Sequence, residues 1–207
     1  MHRHYPVSLV VTGQPCLVVG GGTVAGHKAD GLVRAGARVT ILAPSVDREV
    51  DRLAIERRIA VERREYRVGD AAGYRLVITA TGLPAVDSQV AADAEANGVW
   101  VNSADDPAHC TFTLPAIHWD GKVSMAVSTG GASPALASWL RDLAAGACGR
   151  GLDDLATLLD DARQEVKSSG RPTSAVDWRS LLDGPLPDLV RRGRLKAARD
   201  LIDDATD

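Results

Sequence analysis

The apolar positions of the first hundred residues alternate between two periods, and that alternation sets the expected architecture. "YPVSLVV" (5–11) alternates as a short strand, and "TGQP" follows as a turn. "CLVVG" is an unbroken apolar run, the pattern of a parallel strand covered on both faces. "TVAGHKADGLVRAG" returns to helical spacing at Val24, Ala25, Lys28, Leu32 and Ala35, with Gly36 as its stop. "ARVTILAP", "IAVERREY", "YRLVITATG" and "VWVNSAD" predict further strands. Between them, "DREVDRLAIERR" predicts an exposed amphipathic helix and "PAVDSQVAADAEANG" a helix with Pro84 in its first turn and Gly98 at its end. Strand and helix in strict alternation predict an α/β fold, a Rossmann-type doubly wound parallel sheet.

After residue 112 the pattern changes. "FTLPAIHWDGKVSMAVSTGG" places Asp120-Gly121 between two β-rich runs, a hairpin signal. From Ser133 onward the periodicity is helical to the end, in "SPALASWLRDLAAGACG", "GLDDLATLLDDARQEVKSSG", "DWRSLLDG", "PDLVRRG" and "RLKAARDLIDDA". Three parts are therefore expected: a nucleotide-type domain over 1–112, a small β/α module over 113–148 and a helical domain over 149–207.

Composition narrows the function classes. The net charge of −3 and the 4% of aromatic residues give no reason to expect a nucleic-acid partner. No apolar run approaches the ~20 residues of a membrane span, and the N-terminal apolar stretch is broken by "TGQP", which argues against a signal peptide. Cys16, Cys110 and Cys148 are far apart and odd in number, as expected of incidental thiols in a reducing cytoplasm. The five histidines form no ligand spacing, so no metal site is expected, and His109 reads as a surface loop residue.

Three stretches carry candidate chemistry. In "VVGGGTVAGHKADGL", Gly20-x-Gly22-x-x-Ala25 follows a strand and opens a helix, the context that the dinucleotide fingerprint requires. Gly20 permits the tight turn, Gly22 admits a pyrophosphate to the backbone, and the helix start at Thr23 and Val24 supplies N–H groups. The second strand ends "TILAPS", with Pro44 and Ser45 where an acid usually grips the adenine ribose, so the loop alone does not choose between NAD and NADP. Arg38, at the start of that strand, is badly placed for a 2′-phosphate. Thr81 and Gly82 end the fourth strand with small side chains beside the cofactor path.

The second stretch is "VNSADDPAHC". Ligands of open α/β sheets sit beyond the carboxyl ends of the strands, so Asp105 faces the cofactor crevice as a candidate general base. Asp106, before Pro107, suits a turn opener. Asn102 has two readings, a brace at the strand end or a substrate contact. The third stretch, "VSTGGASPALASWLR", brings Ser128, Thr129 and Gly130 to a helix start, either as an anion-binding corner or as a plain N-cap on Ser133 with Pro134 at N1.

"CLVVGGGTVAGHKADGLVRAGARVTILAP", "LVITATG", "VNSADDPAHCTFTLPAI", "VSTGGASPALASWLR" and "DWRSLLDGPLPDLVRRGRLKAARDLI" together resemble the siroheme-synthase N-terminal family over nearly the whole chain. The resemblance implies NAD-dependent oxidation of precorrin-2 to sirohydrochlorin. In bifunctional members it also implies insertion of Fe²⁺, as a substrate, to give siroheme. It places the family's essential aspartate, in Asn-x-x-Asp, on Asp105, and the cofactor loop on Gly20 to Val24 with Pro44 and Ser45. It implies a homodimer joined through the "STGGASP" module, with Ser128, Thr129 and Gly130 near the tetrapyrrole. Thr111 and Thr129 depart from residues common in the family. No methyltransferase domain follows, so a stand-alone enzyme is expected. The substrate's carboxylates call for cationic or N–H-rich surroundings, for which Lys122, Arg141 and Arg150 are neighbours in sequence only.

Overall fold

The structure is a computed structural model, and it describes residues 4–56, 58–104 and 106–206. The chain divides into two compact units, Met1–Leu114 and Pro115–Asp207. Position 148/149, where the sequence suggests a further boundary, is the end of one helix at Gly149.

The first unit is built on five parallel strands: β1 (Pro15–Val19), β2 (Arg38–Leu42), β3 (Ile59–Glu62), β4 (Leu76–Thr79) and β5 (Trp100–Ser103). Their order is β3-β2-β1-β4-β5, so the chain reverses direction across the sheet between β1 and β4. β1 is apolar at every buried position because both of its faces are covered. Cys16 and Val18 join Val39, Ile41 and Ile78 on one face, under α1 (Thr23–Arg34) and α2 (Arg48–Ile55). Leu17 and Val19 join Val77, Val90 and Val101 on the other, under α3 (Pro84–Ala96). Each such side chain, fully buried, contributes roughly 1.5–3 kcal/mol relative to exposure.

One element departs from expectation. Residues 5–11 form no strand among the described residues, although they alternate as one. The outer edge of β5 is already taken: Thr111 N–H donates to Val101 O at 2.9 Å and Thr111 Oγ1 accepts from Val101 N–H at 2.8 Å. The crossover from β3 to β4 carries no helix. It is a loop in which Ala71, Tyr66 and Tyr74 pack onto the α3 face. The Asp93 carboxylate gathers this loop by accepting from Tyr66 Oη and from the N–H of Gly69 at 2.8 Å.

The second unit opens with the hairpin β6 (Ala116–Asp120) and β7 (Val123–Val127). Asp120 pairs with Val123, so the turn is Gly121-Lys122, one residue later than the Asp-Gly signal suggests. Helices α4 (Pro134–Cys148), α5 (Leu152–Ser168), α6 (Trp178–Asp183), α7 (Leu186–Arg191) and α8 (Leu195–Thr206) follow. Asp153 of α5 accepts from Lys122 N–H at 2.7 Å, and Asp120 accepts from Leu152 N–H at 2.9 Å, which pins the hairpin tip to the start of α5. Leu181, Leu186, Val190, Ala198 and Ile202 form the helical core. No helix among the described residues is long and apolar enough to cross a membrane.

Candidate functional site

At the carboxyl edge of the sheet, the loops after β1 and β4 leave adjacent strands at the point where the strand order reverses, the position where open α/β sheets take ligands. The three glycines of the β1 loop do different work. A Cβ on Gly20 would lie 2.3 Å from Ala80 O, so glycine there lets the β4 end pass against the loop. A Cβ on Gly21 would lie 1.9 Å from Ser45 O, so glycine there lets the segment after β2 close over the loop. Gly22 is different: nothing stands within 4 Å of where its Cβ would be. Gly22 is the N-cap of α1, without a side-chain cap and without an acidic residue in the first turn. Open space above an uncapped helix start fits a pyrophosphate, which would satisfy the free N–H groups and the positive end of the helix dipole.

The neighbouring side chains mostly hold this loop in place. Thr23 Oγ1 donates to Asp47 Oδ2 at 2.8 Å. Asp47 Oδ1 caps α2 by accepting from Glu49 N–H at 3.0 Å and Val50 N–H at 3.1 Å, and Asp47 N–H donates to Gly21 O at 2.8 Å. The Val50 N–H bond, with the Thr23 and Glu49 bonds, holds the Asp47 carboxyl below its ordinary range. Asp47 is thus the first carboxylate after β2, but both of its oxygens are engaged by the protein. Pro44 and Ser45 lie exposed beside the glycine loop, and Val24 is exposed on the first turn of α1. Gly26, not singled out from the sequence, brings α1 close to α2, with Glu49 Cγ 3.1 Å from where its Cβ would be.

The β4 end has an equivalent anchor in Asp87 of α3. This buried carboxylate accepts from Thr79 Oγ1, from Thr81 Oγ1 at 2.8 Å and from Thr81 N–H at 3.2 Å. Thr81 therefore turns its hydroxyl inward. Gly82 follows with φ +69° and open space where a Cβ would be.

At the β5 end, the Asn102 amide donates to Phe112 O at 3.0 Å and lies buried, bracing the strand against the returning chain. Cys110 Sγ accepts from Ser103 N–H at 3.2 Å, and burial pushes its thiol up. The Ser103 hydroxyl is buried with no partner among the described residues. Asp105 lies outside the described residues. Asp106 caps a single 3-10 turn over Pro107–His109, as its Asp-Pro pair implies.

In the second unit, Thr129 Oγ1 donates to Ser133 O and accepts from Ser133 N–H, both at 3.0 Å. Ser133 Oγ caps α4 by accepting from Leu136 N–H at 3.2 Å, and Ser128 Oγ accepts from Gly130 N–H at 3.2 Å. Lys122 Nζ donates to Thr157 Oγ1 at 3.2 Å, Arg141 pairs with Asp142 at 2.8 Å, and Arg150 is exposed. Among the described residues no three His, Cys, Asp or Glu side chains group as metal ligands.

Residues 7–116 match the family model described as "Putative NAD(P)-binding", and residues 120–143 match the one described as "Sirohaem biosynthesis protein central". The chain belongs to the siroheme-synthase N-terminal family. The siroheme synthase of Methylococcus capsulatus is 37% identical over 206 residues, covering 99% of this chain and 44% of that protein. That of Saccharophagus degradans is 35% identical over 202 residues, covering 97% of this chain and 44% of that protein. The chain therefore spans less than half the length of these curated relatives. A solved structure described as "SirC, precorrin-2 dehydrogenase" aligns with TM-score 0.75 at 25% identity, covering 97% of this chain and 100% of that one. The glycine cradle, Asp47 and Asp87 all lie within the 7–116 match to the NAD(P)-binding model.

Proposed function

We propose that this chain oxidises precorrin-2 to sirohydrochlorin with NAD as hydride acceptor. The observation that carries the reading is the uncapped α1 start with open space at Gly22, in a chain that aligns end to end with a precorrin-2 dehydrogenase. Gly20, Gly22, Thr23, Val24, Pro44, Ser45, Thr81 and Gly82 border the cofactor. Of these, Gly22, Val24 and Gly82 offer it open backbone, while Thr23 and Thr81 orient the loops through Asp47 and Asp87. NAD supplies a two-electron hydride acceptor when bound. Asp105 takes the proton that must leave the substrate with that hydride. Asn102 acts by fixing the β5 end from which Asp105 follows. In the second unit, the Ser128 hydroxyl, which donates to no described residue, and the loop at Thr129 and Gly130 meet substrate carboxylates.

The relatives are siroheme synthases, and we extend the reading to ferrous iron as a second substrate, with Asp105 accepting pyrrole N–H protons. We further propose a homodimer through α4 and the hairpin. Leu136, Trp139 and Leu143 stand exposed on one stripe of α4, and Trp119 stands exposed on β6, more apolar area than a free helix face normally shows. Light scattering at micromolar concentration should give twice the chain mass; a monomer would remove this part.

The test of the activity is an anaerobic assay with precorrin-2, with and without NAD and Fe²⁺. Asp105→Ala should fold, bind NAD as the parent does and lose roughly 10²–10⁴-fold in rate. Normal turnover in that variant would remove Asp105 from its role.

A further inference from the structure

The segment between β2 and α2 lies against the glycine cradle. Ser45 O faces Gly21, Asp47 N–H donates to Gly21 O at 2.8 Å, and Thr23 Oγ1 donates to Asp47 Oδ2 at 2.8 Å. A dinucleotide whose pyrophosphate sits at Gly22 lays its adenine ribose toward the end of β2. There a free carboxylate holds the 2′-hydroxyl of NAD, or an arginine meets the 2′-phosphate of NADP. This segment offers no free carboxylate. The chain leaves β2 through Ala43, Pro44, Ser45 and Val46, and its first acid is Asp47. Asp47 has Oδ1 on the N–H groups of Glu49 and Val50 and Oδ2 on Thr23.

The next residue is Arg48, exposed at the first position of α2. The acids of that helix and of its C-cap are engaged by other cations. Glu49 pairs with Arg52 at 2.6 Å, Glu56 with Arg52 at 2.8 Å, and Asp51 with Arg63 at 2.8 Å. Arg48 is left without an ion-pair partner among the described residues. Arg38 stands at the other, amino end of β2, where it donates to Gly13 O at 2.9 Å. An unneutralised guanidinium therefore adjoins, in the chain, the residue that ties α2 to the cradle. A guanidinium forks onto two oxygens of a phosphate, and a ribose hydroxyl offers it no opposite charge.

We propose that this chain accepts NADP as well as NAD, and that Arg48 is the residue that meets the 2′-phosphate. This rests on the cofactor reading of the glycine cradle and goes beyond it, because the glycine loop alone does not choose between the two dinucleotides. With Asp47 turned onto Thr23 and the start of α2, NAD gains no ribose carboxylate at this edge. NADP adds one charge-assisted contact there. Arg48 sets specificity and takes no part in hydride transfer, whose acceptor atoms are the same in both dinucleotides.

The experiment is calorimetry of the full chain with NAD, NADP, ADP and ADP bearing a 2′-phosphate, for the parent, Arg48→Ala and Arg48→Lys. The two ADP fragments present the adenine ribose with and without the 2′-phosphate, and both lack the nicotinamide. In the parent, the Kd for NADP should lie within about 10-fold of that for NAD. Arg48→Ala should weaken NADP and the 2′-phosphorylated fragment about 10-fold, the size of one hydrogen bond to a charged group. It should leave NAD and plain ADP at parental affinity. Arg48→Lys, which keeps the charge and loses the fork, should fall between the parent and Arg48→Ala. NADP more than about 10-fold weaker than NAD in the parent would overturn the inference and leave an NAD-binding cradle standing. So would parental NADP affinity in Arg48→Ala, or a loss there that NAD shares equally. A parent that binds neither dinucleotide would overturn both the inference and the cofactor reading.

Discussion

Two glycine-rich loops open helices in this chain, Gly20–Gly22 before α1 and Gly130-Gly131 before α4, and they use glycine in opposite ways. Before α1, the first two glycines let foreign backbone approach, Ala80 O at Gly20 and Ser45 O at Gly21, while Gly22 leaves the helix start bare. Before α4, both glycines have positive φ, 64° and 86°, with open space where a Cβ would be, and the helix is capped by Ser133. The first loop is crowded behind and open in front. The second is loose around its glycines and closed at its cap. A helix start left without a cap beside a crowded loop keeps N–H groups free for an anion; the same composition with a satisfied cap is a turn that needs left-handed backbone.

The largest expected effect tests the crowding. Gly21→Ala places a methyl into Ser45 backbone, which cannot yield as a flexible side chain would, and should cost about 2–4 kcal/mol by overpacking. Gly131→Ala meets no atom and should cost about 1–2 kcal/mol, the left-handed backbone alone. Denaturant unfolding of the two variants measures the difference. Equal costs would mean that the two loops are not built differently.

Sequence reasoning reached the first loop and missed what holds it, for a physical reason. Gly20-x-Gly22 between strand and helix is a local pattern, legible because the turn and the helix start are made by neighbours in the chain. Gly21 matters because of Ser45, and Thr23 because of Asp47, contacts made only once β2 has folded beside β1. Asp47 was legible as the start of a helix, but not as a tie to the glycine loop. Asp87 looks like an ordinary first-turn acid of α3 until Thr79 and Thr81 are found on it. The alternation at 5–11 misled because a strand needs a partner, and among the described residues this segment pairs with none. Asn102 and Asp106 stand one and three residues from the end of β5, yet their partners, Phe112 and His109, decide what they do.

A middle-sized effect tests the open front. Gly22 has φ −84° and ψ 179°, extended backbone that valine adopts readily, with nothing in its way. Gly22→Val should therefore lose no more than about 1 kcal/mol of stability, the weaker N-cap. Its side chain would stand where a pyrophosphate must approach, and NAD affinity by calorimetry should fall at least about 10-fold, ~1.4 kcal/mol. The matching Gly131→Val should leave NAD affinity unchanged. A folded Gly22→Val with parental NAD affinity would place the cofactor elsewhere.

The smallest effect separates the anchors by their chemistry. The α1 loop is tied to the α2 cap by a carboxylate, Asp47, whereas α4 is capped by the Ser133 hydroxyl. Loss of the Ser133 cap should cost about 1 kcal/mol near neutral pH, and Asp47→Asn, which keeps a capping oxygen but removes the charge, should cost at most about that. They should part in acid. The Asp47 carboxyl titrates below its ordinary range in the folded chain, chiefly because Val50 N–H, together with Thr23 and Glu49, bonds the charged form. A depressed folded value means that its stabilisation is fully present above the unfolded value, about pH 3.9. It is lost as pH falls below that value through the folded one. The gap between the parent and Asp47→Asn should therefore close as pH drops below about 4, while the gap between the parent and Ser133→Ala, a hydroxyl that does not titrate there, should hold. Thermal unfolding at pH 7 and at pH 3 reads both. If the Asp47→Asn gap persisted unchanged in acid, the Asp47 contribution would not depend on its charge, and the contrast between a carboxylate-anchored and a hydroxyl-anchored loop would fail.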